Sequence, residues 1–200
     1  MHRATRSALR VGMPLFGAVA LAIPPLIVGL SGAATADVLW TALRIAALEA
    51  FTLLFANIVT GAFRPIFNQA FGARLVHRIH LVTGISGLSL AIAHGVMALV
   101  FGIAGYLPAP LWVGPAALAL LALVVGTALA RRRFRSSWRR IHRLNYLIFV
   151  AILIHGLFIG YDLRSDIFLK VWFALYAAVT VAGYVFRTLR APGGAKVSSR

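Results

Sequence analysis

Residues 138–156 read WRRIHRLNYLIFVAILIHG, and the change of character part-way through decides the fold. Trp138, Arg139, Arg140 and Arg143 close a basic stretch that begins at Arg131. Beyond it the chain turns apolar and stays so as far as Ile159. A run of this kind, about 20 residues long, is the length of a membrane-spanning helix, and a basic flank marks a cytoplasmic end. Two histidines bracket it, His142 at the basic end and His155 near the other. An imidazole inside a bilayer is costly without a partner, so each is a functional candidate.

The same pattern occurs upstream. Arg78-Ile79-His80 repeats Arg140-Ile141-His142, and His94-Gly95 repeats His155-Gly156. His80 and His94 are 14 positions apart and His142 and His155 are 13 apart, so on helices the partners lie roughly 20 Å apart along the axis. At about 100° per residue, His80 and His94 share a face to within about 40°, whereas His142 and His155 end about 140° apart. A common face for the second pair calls for helix distortion, tilt, or His142 in an unwound start of its span. A low-spin b-type haem takes one imidazole on each side of the ring. Histidines stacked two high on two helices therefore suggest axial ligands for two haems.

Composition bounds the reading. The chain has 200 residues, 61% of them hydrophobic, and a mean hydropathy of +0.90. Charged residues make up 12%, against about 25% in a soluble domain. These values indicate an integral membrane protein. The net charge of +16 would suggest nucleic acid in a soluble chain, but here the basic residues lie between apolar spans. They read as topology determinants beside anionic membrane lipid, with no nucleic-acid partner. Cysteine is absent, which excludes disulfides, iron–sulfur ligation, thiolate ligands and covalent c-type haem. Any haem here is haem b, held through histidine.

The predicted fold is an all-α, integral membrane six-helix bundle with spans at about 11–31, 38–62, 76–104, 111–130, 141–161 and 168–188. Residues 1–190 form one transmembrane haem-binding domain and 191–200 a disordered cytoplasmic tail. The first span resembles a signal peptide in its basic start and in Ala34-Thr35-Ala36. Its length and Pro24-Pro25 favour a retained, kinked helix. The connections at 63–78 and 131–143 are basic and the opposite ones are not, which predicts both termini in the cytoplasm. His80 and His142 then lie near the cytoplasmic face, and His94 and His155 nearer the outer face.

Haem propionates favour basic neighbours. Arg74, Arg78, Arg139, Arg140 and Arg143 are candidates, with Arg78 and Arg140, two residues before the inner histidines, preferred. Gly84, Gly87, Gly95 and Gly156 would admit a flat cofactor or simply pack helices. His77 is a substitute ligand or an interfacial residue. Glu49, the one acid inside a predicted span, suits a proton path, a quinone site or helix packing. No nucleophile or acid–base pair is evident.

The run Trp138 to Tyr146, followed by Leu153-Ile154-His155-Gly156, resembles the fifth helix of the ferric reductase-like transmembrane family. His80-Leu81-Val82-Thr83-Gly84, ending at His94, resembles its third. That family includes NADPH oxidases, ferric reductases and the haem-binding membrane subunit of the bacterial methionine sulfoxide reductase system. The resemblance implies an inner haem on His80 and His142, an outer haem on His94 and His155, and electrons passing between them. It implies a redox subunit of an oxidoreductase in the bacterial inner membrane. Its donor would be a flavin-containing protein or a quinone, and its acceptor a periplasmic reductase. The chain has no G-x-G-x-x-G fingerprint and no room for a nucleotide-binding domain. In size and in residues 138–144 it is closer to the methionine sulfoxide reductase subunit, and in the His80/His94 pair to the four-histidine oxidases. Two alternatives stay open: a metal-ion transporter using His94, His155 and Glu49, and a cytochrome b561-like quinone-linked reductase.

Overall fold

The computed structural model describes residues 3–30, 37–100, 112–135 and 137–189, and among them every regular element is a helix. Five are long and apolar enough to cross a membrane: α1 (Arg3–Leu30), α2 (Val38–Ala62), α4 (Ala73–Val100), α7 with α8 (Ser137–Ile159) and α10 (Ile167–Leu189). The short α3 (Arg64–Phe71) links α2 to α4, and α9 (Tyr161–Ser165) links α8 to α10. The predicted fourth span corresponds to α5 (Val113–Leu129), which is uncharged and apolar but for Thr127, and only 17 residues long. The tail at 191–200, the Ala34-Thr35-Ala36 segment and the end of the third predicted span lie outside the described residues.

α2 is the central helix. It is hydrophobic on all sides, as a buried helix must be, and 67% of its most apolar window is buried against 6% for α4. α1, α4, α8 and α10 pack around it, and α5 bridges α4 to α7 and α8. Aromatic rings form much of the join. Phe51 stacks between Phe149 of α8, with ring centroids 4.5 Å apart, and Phe173 of α10, at 5.0 Å. One turn on, Phe55 lies over Tyr176 at 4.0 Å.

Two polar devices tie the ends together. Pro24 has no N–H, so the carbonyl of Ala20 loses its helical donor. The Tyr176 hydroxyl of α10 reaches that carbonyl at 3.5 Å, the kind of neighbouring repair that membrane helices use at proline. α1 thus runs unbroken through Pro14, Pro24 and Pro25. At the other end, Arg44 of α2 and Asp162 of α9 form a buried bidentate pair, with Arg44 Nε donating to Asp162 Oδ2 at 2.9 Å and the second nitrogen to Oδ1. The Arg44 guanidinium also lies 5.1 Å from the Tyr161 ring centroid. The fold thus buries Asp162 as the counter-ion of Arg44.

Gly72, with φ of 84°, supplies the left-handed turn that carries α3 into α4. α6 (Arg131–Phe134) and α7 (Ser137–His142) make the basic corner between α5 and α8. α7 ends at His142, and α8 starts only at Asn145. Across that break Arg143, Leu144 and Tyr146 donate to carbonyls three residues back, at 3.2, 2.9 and 3.3 Å. Such turns wind by about 120° per residue rather than about 100°, which moves His142 toward the face of His155. Of the ways the sequence left open, the structure shows a local distortion: tighter turns just after His142, which is itself the last residue of α7.

Candidate functional site

His80 and His142 face each other at the basic end of the bundle. Their ring centroids are 5.8 Å apart and their planes cross at 65°. The break after α7 puts His142 there, and Trp138, one turn back, holds its ring edge-on at 5.9 Å. His142, which spacing alone leaves about 140° from the face of His155, is paired with His80. Its Nδ1 is buried and has no hydrogen-bond partner.

His80 is held by α2. Its Nδ1 lies 3.0 Å from the Asn57 carbonyl and 3.3 Å from Thr60 Oγ1. Thr60 spends its own proton on the same carbonyl, at 2.9 Å. A carbonyl only accepts, so Nδ1 carries the ring proton and Nε2 keeps a free lone pair. This is the usual state of a metal-ligating histidine, whose other nitrogen donates to a backbone carbonyl. His94 repeats the arrangement, its Nδ1 3.2 Å from the Leu43 carbonyl. Leu43 and Asn57 stand as far apart on α2 as His94 and His80 do on α4, in reverse order. One antiparallel register therefore orients both rings.

His155 packs directly on α5. A Cβ on Gly114 would lie 2.7 Å from its Cε1, so a larger residue there would displace the ring. Of the two expected pairs, His80 and His142 come together as neighbouring rings.

A cavity of about 740 Å³ opens beside His80 and His142, within the range of cofactor sites. Gly61, Gly84, Gly87 and Trp138 line it, and so do six arginines: Arg64, Arg131, Arg132, Arg133, Arg139 and Arg187. Arg78 and Arg140 are exposed and are not among the lining residues. Counting two residues back from a histidine names neighbours in sequence, while the cavity draws its cations from α3, α6, α7 and the last turn of α10. Of the sequence candidates, Arg139 is at the cavity. Asn57 and Arg187 carry no local motif, and Arg64 reads in the sequence only as part of the basic 63–78 connection. An asparagine in mid-span was the available signal. His77 is exposed at the cavity edge. Gly87 meets Leu53 and the backbone of α2, and Gly95 meets Leu118 of α5, so these two serve helix approach.

The residues present suit a bis-histidine haem. A metal–imidazole bond of about 2.0 Å on each side of an ion puts the two ring centroids about 6 Å apart. The inner pair is close to that, with an orphaned nitrogen on one ring, a free lone pair on the other and cations for carboxylates nearby. Among the described residues no group of three or more His, Cys, Asp or Glu side chains could hold an ion. No protein-family model matches the chain, and no curated protein matches it.

Proposed function

We propose that this chain is a six-helix membrane b-type cytochrome of the ferric reductase-like kind, with both termini in the cytoplasm of a bacterium and α5 as its sixth span. The observation that carries the reading is the His80–His142 pair, with ring centroids 5.8 Å apart, beside an arginine-lined cavity. His80 and His142 would hold the inner haem b, and His94 and His155 the outer one. When bound, haem supplies one-electron redox chemistry at the membrane level where it sits.

The chain's own residues do the rest. The Asn57 and Leu43 carbonyls fix the ring orientation of His80 and His94. Trp138 and Gly114 set the rings of His142 and His155. The arginines around the inner cavity would neutralise propionates, and Arg64 and Arg187 take that role from Arg78 and Arg140. The apolar helices exclude water. The direction of transfer is from a cytoplasmic flavoprotein or a quinone to a reductase on the outer face, with the chain as a redox subunit.

Electron paramagnetic resonance of the ferric protein tests the pairing. His80→Ala and His142→Ala should each remove the same low-spin signal, and His94→Ala and His155→Ala the other. Four variants that all keep both signals would contradict the ligation.

A further inference from the structure

Asn57 is a polar side chain on the most buried helix of the bundle, and it is only 5% exposed. Its two halves hold the same histidine. The backbone carbonyl takes the Nδ1 proton of His80 at 3.0 Å. The side-chain Nδ2 donates to the His80 carbonyl at 2.5 Å and, more distantly, to Thr83 Oγ1 at 3.4 Å. Thr83 in turn donates to the His80 and Ile79 carbonyls, at 3.2 and 2.9 Å. Room for the amide is made opposite, on α4. A Cβ on Gly84 would lie 2.8 Å from Nδ2, closer than real contacts allow.

We infer that Asn57 is the positioning residue of the inner site, locking both the backbone and the ring of His80 so that Nε2 is presented across the cavity to His142. The inference rests on the proposed ligation. A polar residue serving only as glue between helices would bond any group on its neighbour. Here every bond of the side chain goes to the ligand's own carbonyl or to the threonine that braces it. Without those bonds the His80 segment of α4 loses its polar tie to α2, and the ring is held under the carbonyl less firmly. Oriented ligand nitrogens depend on such outer partners, whose loss typically costs 10–100-fold in metal affinity.

The test uses full-length protein labelled with ¹⁵N-histidine in detergent micelles, before and after loading with haem. In the unloaded wild type, His80 should be the Nδ1–H tautomer. Asn57→Leu should shift its ring signals toward a mixture of tautomers. After loading, the inner low-spin signal should be weakened or shifted while the outer one is unchanged. Gly84→Ala, which keeps Asn57 but crowds its amide, should reproduce both effects. It is the second route if Asn57→Leu does not fold. Unchanged His80 signals in these variants, with an unchanged inner haem, would overturn the positioning role. A wild type that takes up no haem, with the tautomer shift still seen in Asn57→Leu, would refute the cytochrome reading and leave the hold of Asn57 on His80 standing.

Discussion

At the scale of single residues, the site depends on contacts that tolerate little change. Gly114 is one: Gly114→Ala should push the His155 ring aside and cost the outer haem, leaving the inner signal in place. Haem content of the purified variant checks this, and full loading would contradict it. The four histidines were legible in the sequence because the Arg-Ile-His and His-Gly patterns occur twice, and a duplicated polar pattern in apolar surroundings stands out. The arginines were not. Which of 20 basic residues meet in one cavity depends on helices far apart in the chain, and Arg64 and Arg187 are joined only by the fold. Asn57 is a similar case, since its role follows from the α2–α4 register rather than from its neighbours.

At the scale of elements, two features were only half-readable. The 13-residue spacing required a distortion near His142 without saying which, and the i→i+3 turns between α7 and α8 supply it. The buried Arg44–Asp162 pair was hidden because its members are 118 positions apart. Removing one partner strands the other charge in a low-dielectric setting, at about 3–5 kcal/mol. Asp162→Ala should therefore lower the thermal unfolding temperature in detergent markedly. The double variant Arg44→Leu with Asp162→Leu should recover most of the loss, because an apolar pair of similar volume avoids the desolvation cost. A double variant no more stable than Asp162→Ala would mean that the pair does more than neutralise itself. The aromatic join gives a third check. Phe149 is fully buried against Phe51, and Phe149→Ala should cost about 3–5 kcal/mol by leaving a cavity, again read as a lower unfolding temperature.

For the whole molecule, apolar run lengths were enough to read an all-helical membrane protein, and five of the six predicted spans have helices long enough to cross. Hydropathy could not set the depth of α5 or the central place of α2, because both depend on packing between helices. Sidedness can be tested cleanly, since the chain has no cysteine of its own. Single replacements Arg132→Cys and Ser165→Cys, both at exposed positions, should label with a membrane-impermeant thiol reagent from opposite sides, Arg132→Cys from the cytoplasm. Labelling of both from one side would contradict the proposed topology.

The central claim is that two haems b are held by four histidines in one chain. A pyridine haemochrome assay on detergent-purified protein, expressed with ample haem, measures that directly. The account predicts about two haems b per chain, by the one-haem-per-histidine-pair stoichiometry of bis-imidazole ligation. Protein that is folded and free of haem would contradict it.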